Sequence, residues 1–358
     1  IEKKERIGII ADYDVDGSTS ASILFKFLKN FTSSIILKIP NRLVDGYGPN
    51  IKLMREMLDK KVDLLLTLDC GTTSNEIIDN KEFKNIDVIV IDHHLSEINL
   101  PNVLAIINPN RVDDTSDYKQ LAAVGVTFLF LMYLRKKLRK INKFNYIKEP
   151  NLLSYLDLVA LGTVCDVVEL KRYNRLFVKK GLELIHKRYH RGIAKLIDNS
   201  KITSSPTSQD LGFVVGPQIN AASRIDDSSL ASKLLISNDI EQIESISRKL
   251  FLLNEKRKLI ESQILDDANN QAANQSNSNF ILVFGNNWHQ GVLGIIASKI
   301  KDIYYKPTIV ISFSNKIGIG SARSIEDVDL GKIILNAKTE KLLISGGGHS
   351  MAAGLKIN

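Results

Sequence analysis

Cysteine is scarce in this chain of 358 residues: Cys70 and Cys165 are the only two. So small a number excludes a disulfide framework and suits a reducing compartment, so the expected location is cytoplasmic. Each cysteine sits beside an aspartate, in "LDCG" and "VCDV", and reads as a small buried apolar residue near a site rather than as a metal ligand. The lack of neighbouring thiolate pairs argues against a structural zinc site. Long apolar runs are missing too. None approaches the roughly 18 uninterrupted residues that a membrane span needs, so no membrane role is expected. The opening "IEKKERIGII" lacks the apolar segment and small-residue cleavage site of a signal peptide. It also lacks an initiator Met, from which we expect an excised or truncated chain. No repeat of solenoid period is present.

What is present describes an ordinary soluble globular protein, with 44% hydrophobic and 25% charged residues and length enough for two domains. The formal net charge of +8 is compatible with a polyanionic partner. The richness in Asn, Ile and Lys is also what codon bias produces, so charge alone does not decide.

The first part alternates strands and helices. "RIGIIA" (6–11), "SIILKI" (34–39), "VDLLLTLD" (62–69), "DVIVID" (87–92) and "VLAIIN" (103–108) read as strands, with helices over 18–30 and 50–60. That alternation predicts a parallel or mainly parallel α/β sheet. From 119 to 198 the pattern is mostly helical. "LAAVGVTFLFLMYLRKKLRK" is an apolar helix whose basic last turn suits the helix dipole. Residues 201–210, "KITSSPTSQD", read as a polar surface loop, and a long charged helix follows over 239–275. The α/β pattern then restarts through "FILVFG", the helix "GVLGIIASKI", "PTIVIS", "KIGIGSA", "LGKIIL" and "KLLISG". The fold class expected is α/β, with two lobes joined by a long helix and the active site in the cleft.

Four acidic or histidine clusters fall at comparable places in this pattern. Asp12, Asp14 and Asp16 follow the first strand in "IIADYDVDG", where an extended chain would point all three side chains to one side. Asp69 ends "LLLTLDCG"; Asp92, His93 and His94 end "VIVIDHH"; Asp166 follows the apolar stretch in "LDLVALGTVCDVVEL". Ligands bind outside the carboxyl ends of strands in open α/β sheets, so these clusters can converge there. Carboxylates brought together repel one another, and a divalent cation removes the conflict. Oxygen and imidazole donors suit Mn²⁺, Mg²⁺ or Zn²⁺, and one carboxylate could bridge two ions. Taken singly, each motif has a plain alternative as a solvated turn or a surface histidine pair. A calcium loop is excluded: the twelfth position holds Phe25 if Asp14 is first and Ile23 if Asp12 is first, not Glu.

In this order, "DYDVDG", "LDCGTTS", "IDHHL" and "GTVCDVVEL" resemble the DHH phosphoesterase superfamily. "WHQGVLGIIASKI", "GIGSARS" and "ISGGGHSMAAGL" resemble its DHHA1 partner domain, and "LGFVVGPQINAASRIDD" is similar to the connecting motif of the RecJ branch, the single-strand-specific 5′ exonucleases. The resemblance covers nearly the whole chain. It implies a parallel-sheet DHH domain over 1–200, a connecting motif and linking helix over 201–275, and a smaller DHHA1 domain over 276–358.

It further implies two divalent ions, Mn²⁺ or Mg²⁺, held by Asp12, Asp14, Asp16, Asp69, His93 and Asp166, with Asp14 and Asp16 feeding one ion each, Asp69 bridging, and His93 and Asp166 on the second ion. His94 matches a contact to the scissile phosphate, and Asp92 a residue that orients His93 or His94 from behind. Arg224, Ser321 and Arg323 match a 5′-phosphate pocket, and His349, after three glycines, lies near the scissile group. Gly346 to Gly348 would otherwise be a plain tight turn. Two departures are Ser223 and Ala322, each where the family has glycine.

The implied activity is hydrolysis of single-stranded DNA from its 5′ end to 5′-mononucleotides, in DNA repair and recombination. A slot admitting one strand would exclude duplex, with Tyr47 and Trp288 as candidate stacking residues, Tyr47 equally as plain packing. We expect a monomer, with helicase and single-strand-binding protein as candidate partners. Full-length members continue into an oligonucleotide-binding barrel that this sequence does not contain, which bears on DNA affinity and processivity rather than on the active centre. Two rivals are a DHH enzyme acting on small nucleotides or oligoribonucleotides, against which the connecting motif counts, and a non-catalytic replication scaffold, against which the filled ligand positions count.

Overall fold

The computed structural model describes residues 4–358. The chain forms two compact units, the first reaching Asn254 and the second spanning Glu255–Asn358. In the first unit β1 (Ile7–Ala11), α1 (Val15–Leu28), β2 (Ile35–Lys38), α2 (Ile51–Asp59), β3 (Leu64–Leu68), α3 (Asn75–Ile78), β4 (Asp87–Ile91) and β5 (Ala105–Ile107) alternate as expected. The five strands make an all-parallel sheet in the order β2-β1-β3-β4-β5. The runs of Ile, Leu and Val suit strands covered on both faces. Side chains alternate accordingly. Ile9 and Leu66 enter the core beneath α1, while Ile10 and Leu65 enter the core beneath α2 with Met54 and Met57.

The helical stretch consists of α4 (Ala123–Lys140), α5 (Leu156–Cys165), α6 (Arg172–His186) and α7 (Arg191–Asn199). The segment 201–210 was expected to be loop throughout, but α8 (Ser208–Asp210) begins inside it. Thr207 accepts from the Asp210 N–H while the Asp210 carboxylate accepts from the Thr207 N–H, a reciprocal cap that starts a helix. A π-helical turn, Leu211–Val215, leads into α9 (Gly216–Ile225) and then α10 (Leu230–Ile236). Leu211, Val215, Ile219, Ala222, Leu230 and Leu234 join the large core of the first unit. The charged helix α11 (Ile240–Ala273) carries the chain from one unit into the other.

The second unit continues with β6 (Ile281–Asn286), α12 (Gln290–Tyr304), β7 (Thr308–Ser314), β8 (Ile317–Arg323), α13 (Leu330–Thr339), β9 (Ser345–His349) and β10 (Ala352–Ile357). Its sheet is mixed, in the order β6-β7-β8-β10-β9, with only the β6–β7 pair parallel. One face packs Ile264, Ala268 and Ala272 of α11 against α12, and the other packs Leu330 and Ile334 of α13. The three glycines before His349 are not a tight turn. They lie within β9, an edge strand, and the reversal comes after them at Ser350–Met351. No helix among the described residues is long and apolar enough to cross a membrane.

Candidate metal centre

The strand order reverses between β1 and β3, and the crevice at such a reversal is where open α/β sheets bind ligands. Acidic residues follow both strands directly. Their backbones are pinned by extensions of the sheet ladder: Asp12 N–H donates to Leu68 O at 3.1 Å, Asp69 N–H to Ile91 O at 2.9 Å, and Asp92 N–H to Ile107 O at 3.1 Å. Each carboxylate is thus fixed at the rim by the neighbouring strand.

The expected one-sided display of Asp12, Asp14 and Asp16 along an extended chain is not what brings them together. The chain turns into α1 at Asp14, which is the N-cap and accepts from Gly17 N–H at 3.0 Å. Asp16 already lies in the first helical turn. Its Oδ2 accepts from Ala123 N–H at 2.6 Å and its Oδ1 from Val124 N–H at 2.8 Å. The N-cap of α4, Ala122, has no side chain able to cap, so a carboxylate over a hundred residues upstream does that work. Gly17 makes the turn possible, since a Cβ there would lie 2.3 Å from Asp12 O.

Asp166 also departs from expectation. It follows no strand but is the C-cap of α5. It reaches the sheet rim because α5 crosses α1 at Gly162, where a Cβ would sit 2.3 Å from Thr19 Oγ1 and 3.1 Å from Asp16 Oδ1. Asp69 adopts a left-handed backbone (φ +58°), which aspartate tolerates better than most residues, and this ends β3 and turns its carboxylate into the crevice.

His93 Nε2 lies 3.4 Å from Asp69 Oδ1, 3.5 Å from Asp166 Oδ2 and 3.9 Å from Asp16 Oδ2. Three sets of potential ligand atoms each lie within 4.8 Å of one another: Asp12, Asp14 and Asp69; Asp16, His93 and Asp166; and Asp69, His93 and His94. Asp69 and His93 are each shared between two sets. No cysteine joins any set, and Cys70 is a fully buried core residue as the sequence suggested.

Asp92 stands behind the histidines. Its Oδ1 accepts from His93 N–H at 2.8 Å, His94 N–H at 3.2 Å and His94 Nδ1 at 2.7 Å, while its Oδ2 accepts from Thr72 N–H at 3.1 Å. Its side-chain partner is therefore the His94 ring. Asn108 was not foreseen, although it follows β5 as the other polar residues follow their strands. Its Nδ2 donates to Thr72 Oγ1 at 3.0 Å and to His94 O at 2.8 Å. Asn110 holds His93 O in the same way. Tyr47 has a half-exposed ring but an inward hydroxyl, which donates to Asp69 O at 2.8 Å and lies 3.2 Å from His94 Nδ1. Trp288 packs over Gly285 and the core of the second unit.

The electrostatics follow from this crowding. Burial, then the neighbouring carboxylates, push Asp12, Asp16 and Asp69 well above the usual carboxylate range. Burial and then Asp14 raise Asp166 to about 7. Burial and then the charge of His94 lower His93 to about 4, so it is a neutral imidazole at neutral pH. For His94, burial opposes the charge, but the hydrogen bond and charge of Asp92 outweigh it and the net shift is upward. Asp92 shifts downward, because its bonds to His94 and Thr72 outweigh its desolvation. Asp12 Oδ1, Asp69 Oδ1, His93 Nε2 and Asp166 Oδ2 are buried without hydrogen-bond partners in the protein. Orphaned carboxylate oxygens and a neutral imidazole nitrogen, converging and mutually repulsive, form a donor set that fits divalent cations of the Mg²⁺, Mn²⁺ or Zn²⁺ kind.

Of the remaining candidates, Arg224 lies on α9 in the first unit, and Ser321, Arg323 and His349 lie in the second. Ser321 and Arg323, two residues apart on β8, share a face, and Arg323 Nη1 donates to Ser321 Oγ at 3.3 Å. His349 is exposed at the end of β9.

A crystal structure of exonuclease RecJ bound to manganese superposes on the whole chain with a TM-score of 0.86, at 31% identity and over 87% of its own length. The chain belongs to the RecJ family. Residues 6–163 match the DHH family, N-terminal domain, and residues 277–358 the DHHA1 domain. The single-stranded-DNA-specific exonuclease RecJ of Haemophilus influenzae is 37% identical over 99% of this chain, which spans 64% of that protein's length. RecJ of Thermus thermophilus in complex with Mn²⁺ matches with a TM-score of 0.84 at 29% identity, and the chain covers 50% of its length. Ser223 and Ala322, where the resemblance implied glycine, each have a local setting. The Ser223 hydroxyl donates to Asn220 O at 3.1 Å within α9. The Ala322 methyl points to the opposite face from Ser321 and Arg323, into the core beneath α13.

Proposed function

We propose that this RecJ-family chain hydrolyses single-stranded DNA from its 5′ end, releasing 5′-mononucleotides, with two divalent ions (Mn²⁺ or Mg²⁺) as cofactors. The observation that carries this reading is the run of three donor sets linked through Asp69 and His93, with four buried ligand atoms lacking protein partners. Asp12, Asp14 and Asp69 would hold one ion; Asp16, His93 and Asp166, with Asp69 shared, would hold the other. When bound, such ions acidify the attacking water and offset charge on the phosphoryl oxygens.

The chain's own residues supply the rest. His94, aimed by Asp92 whose carboxylate favours the protonated ring, donates a hydrogen bond to a non-bridging oxygen of the scissile phosphate as charge builds there. Tyr47 steadies the Asp69 backbone so that the shared carboxylate keeps its direction. Arg224, Ser321 and Arg323 recognise the 5′-phosphate, and His349 acts beside the scissile group. In this reading Arg323 is pre-set by Ser321, which lowers the ordering cost of a bidentate grip. The enzyme serves DNA repair and recombination in the cytoplasm as a monomer, on strands that a helicase exposes and single-strand-binding protein covers.

Single-stranded oligonucleotides labelled at either end, incubated with Mn²⁺, test this. Label at the 5′ end should appear at once as mononucleotide, while label at the 3′ end stays on long fragments. EDTA or Asp69→Asn should leave both labels on intact strands. Release from the 3′ end first would refute the phosphate-pocket assignment, and undiminished activity of Asp69→Asn would refute the metal assignment. Cleavage of dinucleotides with long strands left intact would favour a small-nucleotide phosphodiesterase.

A further inference from the structure

The first unit has a second polar concavity that the metal centre does not use. A cavity of about 390 Å³ opens between the end of α1, the start of α7 and the turn that follows α10. Lys26 lies on its wall, ten residues along α1 from Asp16, or about 15 Å at the rise of an α-helix. Because α1 runs antiparallel to the strands, this cavity belongs to the opposite end of the sheet from the acidic rim.

Its lining is cationic and aromatic. Lys26, Tyr155, Tyr189, His190, Arg191 and Asn238 contribute to it, and no carboxylate does. Lys26 Nζ donates to Ile236 O at 3.1 Å, which uses one of its three hydrogens. Arg191 is the first residue of α7, a nine-residue helix whose early N–H groups have no partners within the helix. His190 caps that helix as a neutral ring: its Nε2 donates to Leu235 O at 2.8 Å and its Nδ1 accepts from Ile193 N–H at 3.3 Å. The His190 ring thus caps the Ile193 N–H and leaves those of Arg191 and Gly192 without a side-chain cap. Among the described residues, Asp157 is the carboxylate whose charge acts on Lys26. It is buried behind the wall, and its desolvation favours the neutral acid, so it balances Lys26 only in part. Tyr155 and Tyr189 both line the cavity and supply ring faces, and burial raises the Tyr155 phenol to about 12.

We propose that this cavity is a binding site for a free nucleoside monophosphate, with the phosphate against Lys26, Arg191 and the start of α7, and the base against Tyr155 and Tyr189. The volume suits one nucleotide rather than a strand. The site does not depend on the nuclease reading, since none of its residues belongs to the metal centre.

The test is calorimetric titration of the whole chain in EDTA, which removes metal-dependent binding at the acidic rim. The probes are 5′-AMP, adenosine, inorganic phosphate and a 5′-phosphorylated trinucleotide. We expect one saturable site for 5′-AMP. Adenosine and inorganic phosphate should each bind at least tenfold more weakly, and the trinucleotide no more tightly than the monomer. Arg191→Gln, at an exposed position, should weaken 5′-AMP at least tenfold and leave oligonucleotide hydrolysis unchanged; Lys26→Met should act likewise. Arg323→Gln should leave 5′-AMP binding intact. Absence of saturable binding in EDTA would overturn the proposal. So would binding lost in Arg323→Gln but kept in Arg191→Gln, or tighter binding of the trinucleotide.

Discussion

Asp157 offers a quantitative test of how this fold handles buried charge. It is wholly buried in the first turn of α5; Oδ1 accepts from Leu158 N–H at 2.7 Å, and Oδ2 has no partner. Desolvation raises it from 3.8 to about 7, against the lowering effects of the Leu158 N–H and of Lys26. The folded chain therefore keeps a proton that the unfolded chain has released between about pH 4 and pH 7. Stability falls as pH rises through that window, and the loss is complete above pH 7. A shift of about three units corresponds to roughly 4 kcal/mol, of which about 2 to 3 kcal/mol accrues between pH 5 and pH 8. Asp157→Asn keeps the shape and titrates nothing, so its stability relative to the parent should rise by about that amount over the same interval. Any fixed cost of the new amide N–H is the same at both pH values and cancels. Urea denaturation followed by far-ultraviolet circular dichroism measures the effect. The only tryptophan, Trp288, belongs to the second unit, so its fluorescence is an internal control for the unit that lacks the substitution. A relative stability that stays constant between pH 5 and pH 8 would refute the reasoning.

Three further outcomes are expected. Asp92→Asn removes the anionic acceptor of the His94 ring, so the His94 titration seen by proton NMR should move to lower pH and turnover should fall by about 10–100-fold; an unmoved titration would rule out the orienting role. Gly162→Ala places a methyl 2.3 Å from Thr19 Oγ1 and should lower stability by about 1–3 kcal/mol in thermal melts, whereas Gly125→Ala, whose nearest neighbour is the flexible end of Leu121 at 3.3 Å, should cost far less. Saturating Mn²⁺ should stabilise the chain by about 3 kcal/mol at roughly a hundredfold excess over its dissociation constant, with the gain shrinking as acid protonates the raised carboxylates; calorimetry showing no gain at about pH 8 would count against the donor sets.

The parts of the site legible in the sequence were those set by local pattern. Apolar runs ending in Asp12, Asp69 and Asp92 were readable because a buried parallel strand has few ways to end, and Asn108 carried the same signal at β5. What local pattern could not carry was contact between distant segments. The grip of Asp16 on the start of α4 joins residues over a hundred positions apart, and nothing near "DVDG" announces it. Asp166 looked like another strand end because "LDLVALGTVC" is apolar all round, which marks a fully buried helix as well as a strand. The display of Asp14 and Asp16 was misjudged because capping signals compete with strand alternation at the same residues. The π-helical turn before α9 left no periodic mark either, being a single extra residue in an otherwise helical run.

The donor sets are also spread along the chain in a telling way. The Asp12, Asp14 and Asp69 set is complete in sequence at Asp69 and the Asp69, His93 and His94 set at His94; the third waits for Asp166, and Asp16 is not locked until α4 begins at Ala123. A nascent fragment that stops short of α5 lacks Asp166 and so cannot complete the set of Asp16, His93 and Asp166. That last donor precedes completion of the first unit's core, which draws on residues as far as Leu253. A chain read as a nuclease would thus carry every donor of its acidic rim in sequence before the core around them is complete.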